Sequence, residues 1–192
     1  MELEFIQDKV YYKIFDKTYK ASTGAYNKHK AADVAKLTEI QQNIANIKTE
    51  YKCDELVILK QIHGTHVIDV DEANLTEPLE ADASVTTRKN IALSILTADC
   101  VPVLFSSSDG SVIGAAHCGW KSAKADIIKK LVAKMREKNA QNIRAIIGPS
   151  IQQKSYEVDE NYYQNFVSDD QTCKDFFIKS KKYMYYMFDL SG

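Results

Sequence analysis

"SVIGAAH" (Ser111–His117), "KSAKADIIKKLVAKMREKN" (Lys121–Asn139) and "NIRAIIG" (Asn142–Gly148) follow one another with short links, and their succession decides the fold. The outer two are aliphatic runs bounded by Asp109-Gly110 before and Gly148-Pro149 after, as strands require. The middle one sets Ile127, Ile128, Leu131, Val132 and Met135 on one stripe at helical spacing, with lysines over the rest as a solvated face. A strand–helix–strand unit results.

Working outward, "VPVLFS" and "IALSILTA" (Ile91–Ala98) are aliphatic enough for strands buried on both faces, and "ASVTT" reads as another. "LVILK" (Leu56–Lys60) and "THVIDV" (Thr65–Val70) read as strands separated by a turn at Gly64. Further upstream, Val34, Leu37, Ile40, Ile44 and Ile47 recur at helical spacing behind Asp33, which is placed to cap the first turn. Strands outnumber helices, and hairpin-like neighbours are mixed with one crossover, so the expected class is α+β with mixed sheets. With 192 residues and no linker or repeat, the expectation is one domain over 1–192, its motif-bearing core at about 56–159.

Bulk properties narrow the functions. Twenty-five basic and 26 acidic residues give no basic excess for tracking phosphates, so nucleic acid is not an expected partner. No run approaches the roughly 18–20 apolar residues of a membrane span, and "MELEFIQDKV" is not an export signal, so a cytoplasmic protein is expected. Cys53, Cys100, Cys118 and Cys173 are then expected as thiols.

Three residues that end or interrupt strands carry chemistry: His63, Cys100 and His117. Their separations match no local metal motif, so the fold would have to assemble them. Two imidazoles and a thiolate suit a zinc ion that keeps a fourth position open. The same residues also suit a Cys100 nucleophile with His63 or His117 as base. Asp99, beside Cys100, is either a carboxylate that orients a histidine or a structural one.

Five ordered blocks, "KQIHGTHV", "ADASVTT", "TADCVPVLF", "AAHCGWKSA" and "IGPSI…SYEV", resemble the YfiH family, whose members carry both laccase-domain and purine nucleoside phosphorylase names. The resemblance implies a four-layer α-β-β-α sandwich and a zinc held by His63, Cys100 and His117, with copper the lesser expectation. Gln61 and Lys121 become substrate-binding candidates, and Cys100, His117 and Asp99 the catalytic set. The implied reaction is phosphorolysis of adenosine, inosine, guanosine and methylthioadenosine, with adenosine deamination beside it; nucleoside and phosphate are the implied small-molecule partners. A multicopper site needs a histidine-rich cluster, whereas this chain has only His29, His63, His66 and His117. The laccase name is therefore not expected to hold literally.

Departures from the family pattern lead to further expectations. "YYKIFDKTYKASTGAY" lacks the family's arginine and Gly-Gly turn, and Ser122 follows Lys121 where glycine is usual. The chain stops soon after "FDL", which reads as a short member with its C-terminal part missing. "KKYMYYMFDLSG" would then leave Tyr183, Tyr185, Tyr186 and Phe188 uncovered, so a homo-oligomer through this ending is expected. Two other functions stay open: a degenerate member that binds metal or nucleoside without useful catalysis, and a Cys-His amidase.

Overall fold

The structure, a computed structural model, describes residues 2–6, 10–15, 34–182 and 185–191, with side chains from 10–15, 38–182 and 185–191. Asp33, His29, Tyr183 and most of the altered N-terminal stretch lie outside the described residues. The chain divides into two compact units, Met1–Leu96 with Pro102–Gly148, and Thr97–Val101 with Pro149–Gly192.

The first unit opens on an antiparallel pair, β1 (Glu2–Ile6) and β2 (Val10–Lys13), followed by helix α1 (Val34–Glu50). Helix α1 buries Ile40 and Ile47 at the expected spacing and lies against β3 (Glu55–Lys60). Strand β3 is the centre of a parallel three-stranded sheet between β5 (Leu79–Glu80) and β7 (Ile91–Ser94). Val57, Leu59, Val70, Ala81 and Ile91 form one apolar cluster there.

The five-stranded sheet runs β10 (Arg144–Ile147), β8 (Val101–Ser106), β9 (Ile113–Cys118), β6 (Ala83–Thr86), β4 (Val67–Asp69). Its pairings are mixed, parallel for β4 with β6 and antiparallel for β6 with β9 and β10 with β8. The opening strand–helix–strand segment forms, with β10 reached across β8. Its helix is broken, however, into α2 (Trp120–Lys124) and α3 (Ile127–Glu137). Asp126 between them is left-handed at φ 63°, which ends one helix and redirects the next. Ile127, Leu131 and Met135 are fully enclosed against the sheet, each contributing about 2 kcal/mol. A Cβ on Gly114 would stand 3.1 Å from Met135 Sδ and 3.2 Å from Leu131 Cδ1, so the bare glycine lets α3 settle close to β9.

Two expected strand arrangements are corrected. Residues 56–60 and 65–70 do not form a hairpin; β3 and β4 enter different sheets. The cause is local: the N–H groups of Ile62, His63 and Gly64 turn onto the Asp82 carboxylate instead of a neighbouring strand. The strand expected over Ile91–Ala98 stops at Ser94, and Leu96 bonds through both its main-chain groups to the side chain of Gln61.

The second unit is an antiparallel sheet with β13 (Tyr185–Phe188) between β11 (Glu157–Asp159) and β12 (Phe177–Lys179), joined by helix α4 (Glu160–Val167). Asp159 caps α4 by accepting from the Tyr162 N–H at 2.8 Å. Part of the aromatic ending is covered within the unit, against the expectation that Tyr186 and Phe188 are open, while Tyr185 is exposed as expected. Phe188 is 3% exposed, and its ring centroid lies 5.0 Å from Phe166 and 4.6 Å from Phe177. Tyr186 stacks on Tyr163 at 4.1 Å, and only Tyr185 of the described tyrosines here is largely open. Because β13 is a central strand, both its edges and its apolar face are used within the unit. Architecture is thus mixed α+β with several sheets, of which the five-stranded one combines parallel and antiparallel pairs, and no helix among the described residues is long and apolar enough to cross a membrane.

Candidate metal centre

His117 sits near the end of β9 and is 3% exposed. Its Nδ1 lies 2.8 Å from Asp82 Oδ1, and its main-chain N–H donates to the Asp82 carbonyl at 2.7 Å. The carboxylate accepts a hydrogen bond from the Nδ1–H, which leaves the Nε2 lone pair available to a metal. His63 stands in the loop after β3, with its ring 4.8 Å from that of His117 and nearly perpendicular at 82°. Its backbone is left-handed, φ 58°, an uncommon state for a residue with a Cβ. Exposure of His63 leaves one side of the pair open to solvent.

Asp82 joins these features. It is fully buried between Ala81 and Ala83, and its carboxylate accepts N–H groups from Ile62 at 3.2 Å, His63 at 2.9 Å and Gly64 at 2.6 Å besides the His117 ring. Burial opposes its charge, but the hydrogen bonds from His117, Gly64, His63 and Ile62 outweigh it and hold the carboxyl below its usual range. Nothing in the sequence reading gave Asp82 a role, although it lies in the "ADASVTT" block. The signal was an acid between alanines at the head of a strand, since a carboxylate is almost never enclosed unless partnered.

Cys100 is half-buried and immediately precedes the apolar strand β8. Thr97 Oγ1 donates to its carbonyl. The ligand atoms of His63, Cys100 and His117 lie within 4.8 Å of one another, the one such group of ligand residues among the described residues. Around zinc, with bonds of about 2.0–2.3 Å, tetrahedral ligand atoms stand about 3.5 Å apart. Two imidazoles and one thiol gathered to within 4.8 Å are a donor set of the kind zinc takes, so the residues fit the ion. The neighbouring thiol, Cys118, is buried and outside this group.

The remaining expected residues are placed as follows. Gln61 commits its amide to Leu96, accepting that residue's N–H at 2.8 Å and donating to its carbonyl at 2.7 Å. Asp99 is exposed, and its carbonyl accepts from the Ile151 N–H. Lys121 is exposed at the start of α2, its Nζ 5.4 Å from the Trp120 ring centroid. Ser122, the departure from glycine, is fully buried and donates to the carbonyls of Gly119 and His117, tying down the turn that follows the ligand. In the second unit, burial pushes the Tyr162 hydroxyl far above its usual range, and its bond with Tyr156 and the charge of Cys100 add to this.

Residues 14–192 match the family described as multi-copper polyphenol oxidoreductase laccase. A Rickettsia conorii protein named purine nucleoside phosphorylase is 49% identical over 185 residues, covering 96% of this chain and 76% of that protein. Its Rickettsia prowazekii counterpart is 47% identical over 187 residues, with the same coverage of 96% and 76%. Among solved structures, a Neisseria meningitidis protein superposes with a TM-score of 0.69 at 28% identity, over 79% of this chain and 61% of that one. The YfiH protein of Bacillus licheniformis gives 0.66 at 28% identity, over 80% and 62%. The matched region is thus less than two thirds of those solved chains. With the family match over nearly the whole sequence and the site's histidines and cysteine in the expected blocks, the chain belongs to the YfiH, or laccase-domain, family.

Proposed function

We propose that the chain acts as a metal-dependent purine nucleoside phosphorylase, with zinc rather than copper held by His63, Cys100 and His117. The observation that carries this reading is the convergence of one thiol and two imidazoles within 4.8 Å, one imidazole already oriented by a buried carboxylate. The names of the rickettsial relatives supply the reaction class. Against a copper oxidase stands the supply of imidazoles, four in the whole chain, too few for a blue-copper ligand set plus a histidine-rich cluster.

When bound, zinc supplies a Lewis-acid position for water or phosphate. The chain's residues do the rest. Cys100 enters as a thiolate, Asp82 keeps the His117 proton on Nδ1, and the open side at His63 admits substrate. Phosphorolysis breaks the N-glycosidic bond, places phosphate on the ribose C1′ and returns a proton to the purine. Lys121, exposed and cationic, is the candidate contact for phosphate, and Asp99 the candidate for handling that proton. Gln61 acts through the chain segment it ties at Leu96. Adenosine deamination is a second activity of the same proposal, in which water adds to the purine C6, ammonia leaves and the glycosidic bond stays intact.

Purified protein is expected to carry about one zinc per chain by elemental analysis. Cys100→Ala and His117→Ala lower that content sharply, while Cys53→Ala and Cys173→Ala leave it unchanged. Adenosine with phosphate is expected to yield adenine and ribose 1-phosphate, and inosine marks deamination. Equal zinc in wild type and Cys100→Ala removes the metal reading, and metal-loaded protein that leaves adenosine intact removes the phosphorylase one.

A further inference from the structure

We propose that Asp82 is the positioning residue of this centre, one carboxylate that fixes the His117 tautomer and the His63 main chain together. The inference rests on the metal reading above.

Three successive N–H groups, those of Ile62, His63 and Gly64, converge on Asp82. Such a concave run of donors is a nest for an anion, and it forms only where the chain changes hand. His63 makes that change, at φ 58°, so the ligand residue itself bears the strain and the carboxylate holds it there. Oδ1 is shared, accepting both the His63 N–H at 2.9 Å and His117 Nδ1 at 2.8 Å. A displacement of Asp82 therefore moves both histidines at once.

The demand is specific for a carboxylate. Four donors face it, and an asparagine side chain offers acceptors on one oxygen only. If the amide oxygen introduced by Asp82→Asn served the nest, the amide NH₂ would face His117 Nδ1, which would then have to accept. The ring proton would move to Nε2, and the nitrogen needed for a metal would be capped. A purely structural Asp82 predicts no such inversion.

Wild-type protein and Asp82→Asn are stripped of metal and compared at about pH 8.5, roughly two units above the ordinary imidazole value. Long-range nitrogen–proton NMR of the imidazoles is expected to show the His117 proton on Nδ1 in wild type and on Nε2 in Asp82→Asn. Zinc affinity, read by competition with a chromogenic chelator, is expected to fall by about 10–100-fold in the variant. Cobalt loading gives a third reading, since the thiolate charge-transfer band reports whether Cys100 still joins the ion. If Asp82→Asn does not fold, wild type alone decides, and a proton found on His117 Nε2 overturns the proposal. Unchanged tautomer and affinity in a folded variant overturn the role of Asp82 while leaving the metal reading intact. A wild type that binds no zinc overturns both.

Discussion

Strand β6 has a carboxylate at each end. Asp82, just before it, gathers three main-chain N–H groups and the His117 ring. Beyond the other end, Asp71 gathers Thr86 Oγ1 at 2.5 Å, Thr87 Oγ1 at 2.6 Å, the Thr87 N–H and Lys138 Nζ at 2.9 Å. Both are held below the usual carboxylate range, with burial opposing and hydrogen bonds prevailing. A depressed pKa therefore does not separate a site from a brace. What separates them is the far side of each donor. The remaining capacity at Asp71 is spent within the protein, Thr86 Oγ1 accepting the Arg88 N–H and Lys138 also reaching Asp69, whereas the imidazole spent on Asp82 through Nδ1 still presents Nε2. The lesson is to ask what a buried acceptor leaves free on its partners.

The largest expected effect that tests this contrast is Asp82→Ala. Removing a fully enclosed acceptor strands four donors, at a cost of about 3–5 kcal/mol in urea unfolding. Asp71 lies nearer solvent, and water replaces part of what it provided, so Asp71→Ala is expected to cost about 1–2 kcal/mol. A smaller loss at Asp82 than at Asp71 would break the contrast.

Asp71 also contributes a pH dependence. Its carboxyl is depressed in the folded state, so its contribution is fully present above the unfolded value of about 3.9 and is lost as pH falls toward the folded one. The stability gap between wild type and Asp71→Ala should be complete at about pH 7, begin to close below about pH 4, and approach zero in stronger acid. Urea titrations at several pH values check this, and a gap that widens in acid would reverse the assigned sign.

Much of this was legible beforehand, and the exceptions have physical causes. Period and composition placed α1, β3, β8 and β9, because each pattern reflects one-sided or complete burial. Motif blocks placed His63, Cys100 and His117. Asp82 was hidden because its four donors come from residues 18–35 positions away, which no local pattern records. The false hairpin after β3 has the same origin, since the nest that diverts Ile62–Gly64 depends on that distant carboxylate. The aromatic ending misled in the other direction. Its Phe188 ring is covered by Phe166 and Phe177 and its Tyr186 ring stacks on Tyr163, all of which precede it in the chain, so nearness to the terminus did not decide exposure.

The smallest expected effect sharpens the contrast most. Lys138 reaches Asp69 at 2.7 Å and Asp71 at 2.9 Å, with its side chain 16% exposed. Lys138→Met keeps the aliphatic stem and removes the charge, leaving Thr86 and Thr87 to hold Asp71. The expected loss is about 1 kcal/mol or less, and it should shrink in about 1 M salt, where charges this near the surface are screened. Zinc affinity should not change, because no atom of this brace belongs to the ligand group. If Lys138→Met weakened zinc binding as Asp82→Asn is expected to, the two ends of β6 would act as one device. The strand would then transmit displacement between them, and the line drawn here between brace and site would be wrong.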